Sequence, residues 1–220
     1  MTWSGFRPSD DACTYGYLVP SNMFAVVVLG YLEEIARLIV ESSDLAKATA
    51  ELRKEIYDGI ENFAITCKEG YGEVYAYEVD GYGQFNLMDD ANVPSLLSMD
   101  YLGYEGKNPQ VAENTRNLIL SEANPFYYRG AKAEGIGSPH TPVEYIWHIA
   151  LCMQGLTAST REEKKKMIDL AASTDGGKML MHEGFCVKDD TQYTREWFAW
   201  ANAMFLSLIH ISEPTRQAEI

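Results

Sequence analysis

Residues 21–63 read SNMFAVVVLGYLEEIARLIVESSDLAKATAELRKEIYDGIENF, and they contain two successive helical patterns. The first pattern begins near Ser21, whose hydroxyl can cap a helix, and the second follows Ser43. Apolar residues recur at helical spacing in both patterns, and only a short connection separates them. Two helices joined so closely are expected to lie antiparallel. This stretch therefore predicts a helical hairpin as the unit of the fold.

Helix-start signals recur along the rest of the chain. Asn108–Pro109 predicts another helix, because proline fits the first helical turn. Capping boxes at Thr141–Glu144 and Thr160–Glu163 predict two more helices, and a last one is expected to begin near Thr194. The sum is six helices in three antiparallel pairs, so the predicted class is all-α.

The segment Glu73–Leu87, EVYAYEVDGYGQFNL, has a different pattern. It alternates apolar and polar residues around an Asp80–Gly81 turn, which predicts a small β-hairpin inserted between helices. The loops between the helix pairs are long and rich in polar and aromatic residues. Loops of that length are usually functional or disordered, and the aromatic content favours function.

Composition and charge exclude several classes of protein. The chain has 220 residues, 46% of them hydrophobic, which is enough for one sizeable core. Its 18 basic and 32 acidic residues give a net charge of −14, which argues against nucleic-acid partners and anionic membranes. The longest apolar run, Met23–Tyr31, is too short to span a bilayer. Polar and aromatic residues rather than a secretory leader follow Met1, so we expect a cytoplasmic protein.

The cysteines and histidines do not form a metal-binding pattern. No C-x-x-C pair occurs among Cys13, Cys67, Cys152 and Cys186, so we expect buried thiols rather than a zinc site. The pair His182–Glu183 lacks a second spaced ligand, and no Gly-rich phosphate loop is present. We therefore predict no metal and no cofactor.

Two loops carry carboxylates that could act in catalysis. Residues 3–17, WSGFRPSDDACTYGY, contain Asp10 and Asp11, and residues 179–185, MLMHEGF, contain Glu183. Each carboxylate lies among apolar and aromatic residues ahead of a helix, where lost hydration suits a general acid. Two carboxylates in one cleft are the usual apparatus of glycoside hydrolysis. The alternative is that an aspartate caps a turn and Glu183 forms an ion pair.

Three other segments are weaker candidates. Residues 136–141, IGSPHT, offer a hydroxyl and an imidazole to a ligand, or else a helix cap with a packed histidine. Residues 89–97, DDANVPSLL, can bind sugar hydroxyls or form an Asx turn. The hairpin tyrosines can stack on a ligand or pack across the strands.

Several of these motifs, in this order, resemble glycoside hydrolase family 125. They are WSGFRPSDDACTYGYLVPSNMFAVV, DDANVPSLL, GIGSPHT followed by YIW, and MHEGF followed by YTREWFAWANAMF. The resemblance implies an exo-acting α-1,6-mannosidase that inverts the anomeric centre and removes terminal α-1,6-linked mannose from glycans. It implies an (α/α)6 barrel as the fold and a mannose-containing oligosaccharide as the ligand.

The resemblance also implies residue roles. The S-D-D motif places the general acid at Asp10, and the M-H-E motif places the general base at Glu183. The choice of Asp10 over Asp11 rests on the alignment of that pair. The matching motifs further suggest substrate-binding roles for Arg7, Asp11, Asn92, His140 and Trp147. No catalytic metal is implied.

The chain departs from the family pattern in two ways. An (α/α)6 barrel needs twelve helices, so six helices predict an incomplete barrel of about three helical hairpins. We expect residues 1–205 to be the C-terminal part of a longer catalytic domain, partnered by a missing N-terminal half and inactive without it. After Phe205, LSLIHISEPTR resembles the translation of a transposase adapter, so residues 206–220 are expected to be a non-native tail. His210 and Glu213 are therefore left out of the site.

Two other functions stay open on the sequence alone. One is a glycan-binding α-toroid module that does no chemistry, and the other is an α-toroid glycosidase acting on a different sugar. Asp10 and Glu183 favour an enzyme, because a pure binder needs neither carboxylate.

Overall fold

The chain, described by a computed structural model over residues 1–212, forms two compact units. Unit 1 contains Met1–Asp89 and Pro94–Asn124, and unit 2 contains Asp90–Val93 and the chain from Pro125. Residues 1–212 include seven helices and ten short strands. The fold is therefore mostly helical with small sheets, rather than purely all-α.

Unit 1 is built on a helical hairpin. Its elements are β1 (Tyr17–Leu18), α1 (Val19–Leu38), α2 (Ser43–Phe63), β2 (Ile65–Lys68), β3 (Gly72–Tyr75), β4 (Glu78–Val79), β5 (Phe85–Asn86), α3 (Met99–Leu102) and α4 (Pro109–Ile119). Helix α1 packs against α2, as the short connection predicts, and α4 packs against β3. Two antiparallel sheets, with orders β1-β4-β5 and β2-β3, complete the unit.

The helix starts of unit 1 follow local chemistry. The Ser42 hydroxyl accepts from the amide of Leu45 at 3.3 Å, and the Asn108 side chain accepts from that of Gln110 at 3.1 Å. Both helices therefore begin where the sequence predicts. The prediction for α1 was wrong by two residues: the helix begins at Val19, because Pro20 fits its first turn instead of ending the preceding loop.

The segment Glu73–Leu87 forms parts of two ladders instead of one hairpin. Strand β4 pairs with β5 across the predicted turn, where the Asp80 carboxylate accepts from the amides of Tyr82 and Gln84. Strand β3 instead pairs with the preceding strand β2 in antiparallel fashion, across a turn that contains Gly70 at φ 82°. The turn is thus confirmed, and the extent of the hairpin was wrong.

Unit 2 combines three helices with two small sheets. Its elements are β6 (Tyr127–Arg129), β7 (Glu134–Ile136), β8 (Tyr145–Trp147), α5 (His148–Leu156), α6 (Arg161–Ser173), β9 (Gly184–Cys186), β10 (Asp189–Thr194) and α7 (Ala199–Ser212). The antiparallel sheets have the orders β10-β9-β8 and β6-β7. The core consists of the buried residues Ala133, Ile146, Leu151, Met167, Phe185 and Val187.

Two helix starts in unit 2 were predicted wrongly and one correctly. The Thr160 hydroxyl accepts from the Glu163 amide at 3.1 Å, which confirms that capping box. Thr141–Glu144 starts no helix, because the following residues form β8 and pair with β9. Helix α7 begins at Ala199, and Thr194 instead ends β10.

Two pairs of successive helices pack against each other, and the arrangement in three antiparallel hairpins stays a prediction. Helix α1 packs on α2 in unit 1, and α5 packs on α6 in unit 2. The other two long helices pack within their own units, α4 on β3 and α7 on both α5 and α6.

Helix α1 has the length and hydropathy of a membrane-spanning helix, although the uninterrupted apolar run within it is short. Core helices of soluble proteins and signal sequences near an N-terminus pass the same test, and 33% of the tested window of α1 is buried. In unit 1 its Asn22 side chain is buried, donating to the Leu18 carbonyl at 2.9 Å and accepting from the Thr2 amide at 2.6 Å. The expectation of no membrane partner stays a prediction.

Helix α7 continues through the predicted domain end at residue 205. Leu208 is fully buried and lies against Gly155 of α5. Residues 213–220, with Glu213, lie outside the described residues, so the boundary of the tail stays a prediction.

All four cysteines are free thiols, as predicted. The expectation that they are buried was correct for Cys152 and wrong for Cys67, which is exposed on the edge of β2. Burial raises the pKa of the Cys152 thiol to about 12. Burial, followed by the nearby carboxylate of Glu78, raises the pKa of Cys13 to about 11.

Candidate active site

The first candidate loop is closed by its own backbone. The Ser4 amide donates to the Gly16 carbonyl at 2.8 Å and closes the base of the loop. At the tip, the Arg7 amide donates to the Asp11 carbonyl at 2.8 Å, and the Asp10 amide donates to the Arg7 carbonyl at 3.0 Å. This tight turn holds Asp10 exposed, with φ at 66°, a conformation that non-glycine residues rarely adopt. The loop therefore presents the Asp10 carboxyl to solvent on unit 1.

A buried ion pair supports this loop from beneath. The Arg7 guanidinium donates through Nε to Oε1 of Glu78 at 2.6 Å, and the Glu78 side chain has no exposed surface. Oε2 of Glu78 also accepts from the amide of Thr14 at 3.0 Å and from Nδ2 of Asn86 at 3.0 Å. Sequence reasoning missed Glu78. The available signal was an arginine in an aromatic loop, which needs a counter-ion when it is buried.

The second candidate carboxylate is buried at the start of β9. Glu183 is 5% exposed, and its Oε1 lies 3.2 Å from Nε of Arg195. The Glu183 amide donates to the Arg195 carbonyl at 3.4 Å, so side chain and backbone hold the same partner. Arg195 has φ 40°, and its guanidinium lies over the ring of Phe198 at 5.8 Å. Glu183 thus forms an ion pair with Arg195, and its role in catalysis stays a prediction.

Trp147 and His140 lie near Glu183 in unit 2. Trp147 is 1% exposed, pairs with Gly184 in the β8–β9 ladder, and donates from its indole nitrogen to the Thr141 hydroxyl at 2.9 Å. The exposed ring of His140 lies edge-on to Trp147, with centroids 6.2 Å apart. The structure therefore brings His140, Trp147 and Glu183 into one neighbourhood.

The segment DDANVPSLL forms local turns. Oδ1 of Asp90 accepts from the Asn92 amide at 3.2 Å, which is the Asx turn considered above. In unit 1, the two carboxylate oxygens of Asp89 accept from the amides of Leu96 and Leu97 at 2.8 and 2.9 Å. Asn92 is 3% exposed, so its side chain lies within unit 2.

The predicted site residues thus fall into two groups. Arg7, Asp10 and Asp11 share one loop of unit 1, whereas Asn92, His140, Trp147 and Glu183 belong to unit 2. The separation of the Asp10 and Glu183 carboxyl groups stays a prediction. Within residues 1–212, no group of three or more His, Cys, Asp and Glu side chains is arranged to hold a metal ion.

Sequence comparison places these loops within one family. A family model described as metal-independent alpha-mannosidase (GH125) matches residues 1–210. The meiotically up-regulated gene 157 protein of Schizosaccharomyces pombe is 42% identical over 207 residues, which make up 94% of this chain and 40% of that protein.

Structure comparison gives the same relationship. A metal-independent alpha mannosidase of Streptococcus pneumoniae, solved as a non-productive complex with alpha-1,6-mannobiose, is 50% identical with a TM-score of 0.94. The match covers 98% of this chain and 51% of that one. The chain therefore spans about half the length of these relatives or less.

Proposed function

Because the chain belongs to the GH125 family of metal-independent alpha-mannosidases, we propose that it carries the two catalytic carboxylates of an inverting exo-α-1,6-mannosidase. The proposed substrate is a glycan with a terminal α-1,6-linked mannose. This choice is supported by the Streptococcus pneumoniae relative, whose structure contains alpha-1,6-mannobiose.

The state of Glu183 carries the proposal. A general base takes a proton from water, and a charged side chain in a buried position needs a partner of opposite charge. Arg195 supplies that partner at 3.2 Å. The Oε1 atom pairs with the guanidinium, which leaves Oε2 to activate the attacking water.

Asp10 takes the complementary role. Its exposed carboxyl protonates the glycosidic oxygen as the bond breaks, while water activated by Glu183 attacks the opposite face of the ring. Room for that water requires a separation of about 6.5–9.5 Å between the two carboxyl groups. Attack from the opposite face converts the α-linkage into β-mannose.

The remaining predicted sugar contacts take different roles according to burial. His140 is exposed, so we propose that it contacts the sugar directly, with Trp147 packed behind it. Asp11 is half-buried beside the acid and is proposed to contact the same sugar. Arg7 and Asn92 are buried, and we propose that they shape the loops around the ligand.

We further propose that the chain is the C-terminal half of a longer parent enzyme and that the missing half completes an (α/α)6 barrel. One apolar stripe of α1 supports this proposal, because six of its side chains are exposed: Phe24, Val28, Tyr31, Leu32, Ile35 and Leu38. Helices of the missing half would cover such a stripe. The cytoplasmic location stays a prediction from the sequence.

The test uses the full-length parent and α-1,6-mannobiose, with the product anomers followed by proton NMR. We expect β-mannose as the first product. Asp10→Asn and Glu183→Gln should each lower kcat by about 10²–10⁴-fold and leave mannoside binding intact. α-Mannose as the first product would exclude inversion, and binding without any hydrolysis by the wild type would favour a glycan-binding module.

A further inference from the structure

We infer that His148 is a positioning residue for Glu183, acting through the backbone amide of His182. This inference rests on the proposed function, in which Glu183 is the general base. His182 directly precedes Glu183, and its carbonyl, which belongs to the peptide unit joining the two residues, lies 3.2 Å from Nδ1 of His148.

A series of hydrogen bonds links the His182 amide to α5 and α6. The His182 amide donates to Nδ1 of His148 at 3.1 Å, at the first residue of α5. The same Nδ1 lies 3.2 Å from the His182 carbonyl, and Nε2 lies 3.3 Å from the Thr174 hydroxyl. That hydroxyl donates in turn to the Leu170 carbonyl of α6 at 2.8 Å. Both ring nitrogens of His148 thus have partners, and Nδ1 faces the amide and the carbonyl of His182 together.

The surroundings of His148 keep its ring neutral, as this series of hydrogen bonds requires. The ring has no exposed surface and lies against Phe185, with centroids 4.6 Å apart. Burial, followed by the charge of His182, lowers the pKa of His148 to about 3. A protonated ring could not accept from the His182 amide, so the series is intact at neutral pH.

The His182 side chain has further contacts of its own. The His182 ring nitrogens lie 2.6 Å from the Glu196 carbonyl and 3.0 Å from the Asp175 carbonyl. The His182 ring also stacks on Tyr193, with centroids 3.9 Å apart and planes 10° apart. His148 therefore holds the backbone of a residue whose side chain is already held.

This arrangement has a measurable consequence for the reaction. A displacement of about 1 Å at a reacting group can cost about 10²-fold in rate. Loss of the His148 acceptor should therefore lower the rate of the chemical step more than it weakens mannoside binding. If His148 contributed only packing, a side chain of similar shape at that position would instead preserve the rate best.

Two substitutions at position 148 separate these roles in the full-length parent. His148→Phe keeps an aromatic ring against Phe185 but removes the acceptor. His148→Asn leaves a small space but retains an acceptor near the position of Nδ1. On α-1,6-mannobiose we expect His148→Phe to lower kcat about 10- to 100-fold with KM within about threefold, and His148→Asn to keep a kcat close to the wild type.

Two threonines supply a matched control. Thr174 and Thr157 each cap a helix and donate to the carbonyl four residues back, at 2.8 and 2.9 Å. The Thr174 hydroxyl also lies 3.3 Å from Nε2 of His148. Thr174→Val should lower kcat, whereas Thr157→Val should leave it unchanged.

Amide hydrogen exchange gives a readout that needs no substrate. The His182 amide should lose protection in His148→Phe and keep it in His148→Asn. Wild-type kcat in His148→Phe, or unchanged protection of that amide, would overturn the positioning role alone. An inactive wild-type parent would overturn the proposed function and, with it, any role for His148 in supporting a base.

Discussion

Replacing Glu78 by glutamine tests whether the Asp10 loop depends on the ion pair beneath it. The substitution keeps the shape of the side chain and removes its charge. Arg7, which is 8% exposed, would then be a buried cation without its partner. One glutamine oxygen would also replace two carboxylate oxygens that accept from Arg7, Thr14, Tyr15 and Asn86.

The expected effect is large. Removing one member of a buried ion pair costs about 3–5 kcal/mol, because the other charge stays buried and uncompensated. We therefore expect Glu78→Gln to lower the free energy of unfolding by that amount in urea, with an unchanged m value. Asp169→Asn is the matched control, since it breaks the surface pair with Lys165 and should change stability by less than about 1 kcal/mol.

The pH dependence gives a second measurement. Burial is the largest influence on the Glu78 carboxyl and raises its pKa, but the hydrogen bonds from Arg7 and Asn86 and the charge of Arg7 outweigh it, so the net pKa is lowered. A lowered pKa stabilises the fold above the pKa of the unfolded state. That stability is lost as pH falls through the folded pKa. The advantage of the wild type over Glu78→Gln should therefore shrink in acid. A loss below about 1 kcal/mol at neutral pH would refute the reasoning.

Four further outcomes are expected. Between pH 6.5 and 4, the free energy of unfolding in urea should fall less steeply with decreasing pH for His148→Asn than for the wild type, by up to about 1.4 kcal/mol per pH unit. The reason is that the lowered pKa of His148 makes the folded protein bind fewer protons than the unfolded chain. Parallel slopes would contradict this, and His140→Asn is the control. Thr160→Ala should cost about 0.5–2 kcal/mol in the same assay through loss of the α6 cap, and no change would contradict it. Residues 1–220 expressed alone should associate in size-exclusion chromatography and fail to hydrolyse α-1,6-mannobiose, whereas an active monomer would show that no further half is needed. A crystal structure of the full-length parent should place the Asp10 and Glu183 carboxyl groups about 6.5–9.5 Å apart, and a separation above about 15 Å would exclude a single inverting site.

Capping residues predicted a helix correctly where the same segment does not pair with a strand from elsewhere in the chain. The two Thr-x-x-Glu boxes are equivalent in sequence, yet only Thr160 caps a helix. After Thr141 the residues Tyr145–Trp147 are aromatic and β-branched, and they pair with β9 about forty residues away. Glu144 adopts φ 67° there and binds Lys188 instead of capping. Sequence patterns contain the local signal but not the distant strand that overrides it.

The site was predictable to a similar extent. The motifs around Asp10 and Glu183 make both carboxylates candidates, because those residues lie in long continuous segments. Their partners lie elsewhere in the chain: Glu78 is distant from Arg7, and Arg195 is separated from Glu183 by a ladder. Contacts of this kind depend on the tertiary fold, so no local spacing indicates them.

The left-handed backbone at Asp10 and Arg195 has a consequence for protein engineering. At such positions a side chain strains the backbone and glycine does not, so a non-glycine residue lowers the free energy of unfolding through its backbone conformation. Random libraries screened only for heat resistance should therefore enrich glycine at position 10, where the survivors would lose the proposed acid. At position 195 the same change is opposed, because it would remove the partner of the buried Glu183 carboxyl. Directed evolution toward the proposed activity consequently needs an activity selection in every round.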